Sequence, residues 1–268
     1  MQQAIAILDS GVGGLTVVKE VMRQLPQEQI IYFGDSARSP YGPRPADEVK
    51  LFTRQVVDYL IEFHPKMIVI ACNTATAVAL EEIRQRVAIP VVGVISPGAR
   101  AAIKMARTGS IGVIGTDGTI RSGAYEETLK TISPTIQVHS QSCPLLAPMV
   151  EKGIFNGEEA LQVVESSLLP LLDKSMDCLI LGCTHYPYLA DVIGKVMGPE
   201  VCLINSAEET AREVSTILQH QNQLATGKFR PEHRFFCSGD PVLFKKITDI
   251  WLKEDITVTP VEWQAELV

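Results

Sequence analysis

Short apolar runs rich in β-branched residues alternate with amphipathic stretches along almost the whole sequence, and two of the runs end alike. Residues 68–74 read Ile-Val-Ile-Ala-Cys-Asn-Thr, and residues 179–185 read Leu-Ile-Leu-Gly-Cys-Thr-His. A run so short and so apolar is a strand buried on both faces, as in parallel sheets. Alternation with helices restricts the chain to an α/β fold of mostly parallel sheets with helices on both faces. Each cysteine then stands where a strand stops and a helix begins. In open α/β sheets that carboxyl edge is where ligands bind.

The first strand is expected over residues 4–8, followed by the turn Asp9-Ser10-Gly11-Val12-Gly13-Gly14 and a helix to about Leu25. A strand over 29–33, a loop over 34–45 and a helix from near Asp47 come next. In that helix Val49, Phe52, Val56, Leu60 and Phe63 form one stripe at spacings of three and four. The strand 67–71 delivers Cys72, and a helix over 75–86 follows, with Asn73 or Thr74 as its cap. Residues 91–95 read as a strand that Ser96-Pro97-Gly98 breaks before another helix. The strand 111–115 opens onto Thr116-Asp117-Gly118-Thr119. Leu161, Val164, Leu168 and Leu171 mark a later helix, and strand 178–182 presents Cys183. Strands near 201–204 and 233–237, with helices near 207–219 and 241–252, complete the chain; 221–232 reads as an exposed loop.

The likeness between the halves reaches further back. Ile5-Ala6-Ile7-Leu8-Asp9-Ser10 is similar to Ile111-Gly112-Val113-Ile114-Gly115-Thr116. Ser10 precedes Cys72 by 62 positions, and Thr116 precedes Cys183 by 67. Two related units facing each other are expected, with one sulfur from each at a common site. Chance likeness between buried strands is the plainer alternative.

The chain has 268 residues, 46% hydrophobic and 21% charged, with a net charge of −7. That charge argues against a nucleic-acid surface, which calls for a basic stripe. No apolar stretch approaches the roughly 20 residues that span a bilayer. Met1-Gln2-Gln3 runs into a strand without a basic or apolar leader, so a cytoplasmic location is expected. In that compartment the six cysteines are expected to be free thiols. Without a Cys-x-x-Cys pair, a zinc site is not expected, and no metal is assigned.

Cys143, Cys178, Cys202 and Cys237 read as small buried hydrophobes. Cys72 and Cys183 differ, because each meets polar residues at the amino end of a following helix. The N–H groups and dipole there should lower the thiol pKa and make a usable base. Ser10, Asn73, Thr74 and Thr184 serve as caps or as donors to a carboxylate, and the two roles are compatible. Thr116 and Thr119 repeat the pattern in the second half. His185 is either structural or tunes the neighbouring site. Asp9 is a turn residue or an acid–base helper to Cys72. Glu151, between Leu145–Val150 and Gly153, reads as a solvated helix-end charge. The turn after Asp9 is no dinucleotide or phosphate loop: Thr16 stands where a third glycine is needed, and no Gly-Lys-Ser/Thr follows.

Four segments together resemble one family. They are Asp9-Ser10-Gly11-Val12-Gly13-Gly14-Leu15-Thr16, Pro40-Tyr41-Gly42-Pro43-Arg44, Ala71-Cys72-Asn73-Thr74-Ala75-Thr76 and Gly182-Cys183-Thr184-His185-Tyr186-Pro187. They look like glutamate racemase, most closely that of Gram-positive bacteria, with matches from residue 4 to about 215. The resemblance implies a cofactor-independent isomerase that interconverts L- and D-glutamate for peptidoglycan, and hence for cell-wall biogenesis and cell shape. It implies Cys72 and Cys183 as the two acid–base residues, Asp9 assisting the first, His185 the second, and Glu151 as a further helper. Asp9, Ser10, Tyr41, Gly42, Asn73, Thr74, Thr116, Thr119, Thr184 and His185 would bind substrate. It implies two pseudo-twofold α/β domains with the active site between them, residues 1–97 with 207–268 and residues 98–206, and a homodimer. Ser39 stands where the family commonly has cysteine, and Ser36 where it has threonine. A racemase of aspartate or another small acid, or a non-catalytic protein that clasps an anion, remains open on the same scaffold.

Overall fold

The computed structural model describes residues 3–226, 231–254 and 256–263. Met1 and Gln2, and residues 227–230 of the expected loop, lie outside them. The elements run β1 (Ile5–Asp9), α1 (Leu15–Gln24), β2 (Ile30–Gly34), α2 (Ala46–Ile61), β3 (Met67–Ile70), α3 (Asn73–Arg86), β4 (Val91–Gly93) and α4 (Ile95–Met105). There follow β5 (Ser110–Gly115), α5 (Asp117–Arg121), α6 (Ala124–Ile132), β6 (Gln137–Ser142), α7 (Leu146–Glu151), α8 (Gly157–Leu168) and β7 (Cys178–Gly182). The last are α9 (Ala190–Met197), β8 (Cys202–Ile204), α10 (Ser206–His220), β9 (Arg234–Cys237), α11 (Pro241–Leu252) and β10 (Val258–Pro260). Short 3₁₀ helices cover Leu169–Leu171 and Tyr186–Leu189.

The strands form two sheets, ordered β10-β9-β2-β1-β3-β4 and β6-β5-β7-β8. Every pairing is parallel. In the first sheet β1 has β2 on one side and β3 on the other; in the second, β5 has β6 and β7. Each sheet therefore has a point where successive crossovers leave in opposite directions, which opens a crevice at the carboxyl ends of the strands. Cys72 follows β3 and Cys183 follows β7, so both stand at these crevices. The central strands are wholly buried, as their apolar runs require. One apolar cluster runs from Ile5, Ile7 and Val69 of the larger sheet to Leu179 and Leu181 of the smaller, so the sheets share a core.

Several expectations change in detail. β4 stops at Gly93 and α4 begins at Ile95, so Ser96-Pro97-Gly98 starts a helix rather than breaking a strand. Pro97 sits in the first turn, where a missing N–H has no intrahelical partner to lose. The buried stripe of α2 is Val49, Thr53, Val56, Val57 and Leu60, with Phe63 beyond the helix end. Thr53 is buried because its hydroxyl donates to Val49 O at 2.7 Å. Leu171 falls in a 3₁₀ turn after α8. None of the six cysteines is disulfide-bonded, and all but Cys202 are buried. Among the described residues no helix is long and apolar enough to cross a membrane.

Candidate functional site

The chain leaves β3 through Ala71, whose N–H donates to Leu8 O at 2.8 Å, so the turn is tied to β1. Cys72 is itself the cap of α3, which starts at Asn73: its Sγ accepts from the Ala75 N–H at 3.5 Å. Asn73 and Thr74, expected as caps, are thereby freed for other partners. The Cys72 thiol also donates to Ser10 Oγ at 3.9 Å. On the other sheet, Cys183 leads into a turn and the short 3₁₀ helix, not into an α-helix.

A narrow pocket lies where these ends converge. It is lined by Ser10, Tyr41, Gly42, Cys72, Asn73, Thr74, Thr116, Cys183, Thr184 and His185, together with Pro40, Ala147 and Gly182. Thiols from two different sheets thus line one cavity. Asp9, Thr119 and Glu151 stand behind that lining. Close approach explains two glycines of the motifs. A Cβ on Gly13 would lie 2.3 Å from Thr184 Oγ1, and one on Gly42 would lie 2.5 Å from Thr116 Cβ.

The surroundings of the two sulfurs differ. Asp9 is fully buried next to the Cys72 side, accepting from the Gly11 N–H at 3.1 Å and from the Thr184 hydroxyl at 3.3 Å. Burial raises its carboxyl pKa against the pull of His185. Burial, and then the charge of Asp9, push the Cys72 thiol up to about 12. The Ala75 N–H acts the other way and loses. The expectation of a thiol lowered by its helix therefore fails at Cys72, because desolvation outweighs one N–H contact.

Cys183 Sγ lies 3.7 Å from His185 Nδ1. His185 Nε2 lies 3.2 Å from Glu151 Oε1, a charge contact without the alignment of a hydrogen bond. Burial acts to lower the imidazole pKa, but Cys183 and Glu151 on either side hold it up to about 10. Glu151 sits below the usual carboxylate range: burial would raise it, and His185 outweighs that. Ser39 Oγ donates to the same carboxylate at 3.4 Å. Glu151 is thus a half-buried partner of His185, not a solvated helix end.

Three threonine hydroxyls form a triangle. Thr74 Oγ1 lies 2.9 Å from Thr116 Oγ1 and 3.1 Å from Thr119 Oγ1, and the last two are 3.1 Å apart. Asn73 accepts from the Tyr125 hydroxyl at 2.7 Å, while its buried Nδ2 has no partner among the described residues. Tyr41, also in the lining, donates its hydroxyl to Asp35. Tyr125 and Asp35 escaped the sequence reading. Neither carries a motif, and their partners lie 52 and 6 positions away.

Residues 10–214 match the model of the Asp/Glu/Hydantoin racemase family. The chain is 53% identical over 256 residues to a glutamate racemase of Bacillus cereus, covering 96% of this chain and 95% of that protein. The fold superposes on a glutamate racemase isoform from Bacillus anthracis with a TM-score of 0.95, at 50% identity over 97% of each chain. It superposes on the glutamate racemase of Francisella tularensis, solved in complex with D-glutamate, with a TM-score of 0.91 at 36% identity over 98% of each chain. Extent of match, identity and fold agree: the chain belongs to the Asp/Glu/Hydantoin racemase family.

Proposed function

We propose that the chain is a glutamate racemase that interconverts L- and D-glutamate with two cysteine bases and no cofactor. One observation carries the reading: Cys72 and Cys183 come from different sheets and line a single small pocket. Inverting a carbon by proton transfer needs a group on each of its faces. The glutamate racemases similar to this chain supply the substrate.

The difficult step is removing the Cα proton beside a carboxylate that is already negative. Thr74 and Thr116 hydrogen-bond each other and Thr119 behind them, and a carboxylate entering the pocket can accept hydrogen bonds from their hydroxyls instead. Asn73 Nδ2 adds a donor without a partner among the described residues. These groups stand ready where charge grows in the transition state, so no solvent has to reorganise. One cysteine, as thiolate, takes the proton while the other, as thiol, delivers one to the opposite face. Asp9 serves Cys72. His185, its pKa held up by Cys183 and Glu151, serves Cys183.

In this reading residues 1–97 with 207–268 and residues 98–206 act as two units that close on the substrate and exclude water. A cytoplasmic homodimer that supplies D-glutamate to peptidoglycan completes the proposal. Purified protein given each enantiomer of glutamate and of aspartate, followed by chiral chromatography, tests it. Racemisation of glutamate well above aspartate is expected. Preference for aspartate, or tight glutamate binding without turnover, overturns it.

A further inference from the structure

The loop between β2 and α2 carries Tyr41 and Gly42 into the pocket, yet its footing lies elsewhere. Asp35, at its start, is fully buried. Its Oδ1 accepts from Ser238 Oγ at 2.7 Å and from Trp263 Nε1 at 2.8 Å. Its Oδ2 accepts from Arg38 Nε at 2.7 Å and from the Tyr41 hydroxyl. A carboxylate removed from water needs such a set of donors. The Arg38 guanidinium lies between two rings, 4.2 Å from the centre of Phe52 and 4.1 Å from that of Trp263. Trp263 therefore touches the loop twice, through its N–H on Asp35 and its face on Arg38.

What brings Trp263 there is the end of the chain. β10 pairs with β9, and the Val261 N–H donates to Cys237 O at 2.8 Å. The ring packs on Phe33 with centroids 5.4 Å apart. On the pocket side, Gly42 O accepts from the Gly118 N–H at 2.8 Å. Gly118 belongs to α5, whose cap is Thr116, a member of the hydroxyl triangle. A chain of contacts thus links Trp263 through Asp35, Tyr41 and Gly42 to the threonine hydroxyls at the pocket.

We propose that Trp263 is a positioning residue, and that residues 258–263 strap the 35–44 loop into the shape that holds the substrate carboxylate. The kinetic consequence rests on the glutamate reading; the structural one does not. Trp263→Ala in the full chain should raise KM for glutamate about tenfold, with kcat changed less than about threefold, the scale of one hydrogen bond plus a stacked cation. Trp263→Phe keeps the stacking and should give an intermediate KM. Amide hydrogen exchange supplies an arm that needs no activity. The Arg38 and Arg44 amides, bonded to Asp35 O and Tyr41 O, should exchange at least about tenfold faster in Trp263→Ala. Unchanged exchange at those amides overturns the strap. So does an active wild type whose Trp263→Ala variant keeps its KM, or loses kcat alone. A wild type inert on glutamate sinks the functional reading instead, and the exchange arm still decides on the strap.

Discussion

The two halves bring a cysteine to one pocket from equivalent strand ends, and then treat it differently. Cys72 caps a 14-residue helix and sits beside the buried carboxyl of Asp9. Cys183 opens a turn and faces His185, whose pKa is held up by Cys183 and Glu151 on either side. The sheets repeat, with β1 and β3 in one and β5 and β7 in the other, but the charges beside the sulfurs do not. A racemase needs that combination. In the proposed mechanism the two sulfurs stand on opposite faces of the substrate. The proposed mechanism needs one sulfur protonated and the other not, with the roles exchanged between the two directions.

The largest expected effect comes from removing either sulfur. Cys72→Ser and Cys183→Ser should each lower kcat/KM for racemisation by at least about 10³-fold, in the upper range of acid–base catalysis, with unchanged circular dichroism. A near-normal rate in either variant breaks the comparison at its root. The flanking groups come next. Asp9→Asn and His185→Asn should each lower kcat/KM by about 10²-fold, as helpers one step from the proton. Because the equilibrium constant of a racemisation is unity, kcat/KM falls equally in both directions. The two variants should instead differ in which direction loses more kcat, and identical losses would mean that the halves are functionally alike.

A smaller effect separates the halves by pH. The His185 pKa is raised from 6.5 to about 10 in the fold, so its contribution to stability is full below 6.5 and is lost as pH rises through 10. The Cys72 thiol is raised from 9.0 to about 12, so its contribution is full below 9.0 and is lost as pH rises through 12. Cys143 and Cys178, also raised to about 12 chiefly by burial, add to the second window. The melting temperature should therefore begin to fall above pH 6.5 and fall more steeply above 9. His185→Asn should flatten the first part and leave the second. A curve that His185→Asn does not change removes the cationic imidazole from the account.

The strand ends that carry Cys72 and Cys183 were legible because parallel strands buried on both faces leave an unmistakable apolar run. β6 was not, since it reads Gln-Val-His-Ser-Gln-Ser at a sheet edge and no side chain in it is buried. Glu151 was misjudged because its partner His185 comes from a different element, and nothing local to α7 announces it. The Cys72 pKa was misjudged in direction, because burial is a tertiary property while the helix start is a local one. Trp263 acts on Asp35 across 228 positions, a distance no motif spans.

The central claim is that two groups, one on each face, handle the Cα proton. Racemisation in deuterated water, stopped at low conversion and read by mass spectrometry, tests it most directly. From either enantiomer, the product should carry solvent deuterium at Cα while the recovered substrate keeps its protium. Deuterium entering the substrate as fast as the product forms would mean that one base serves both faces, and would contradict the account.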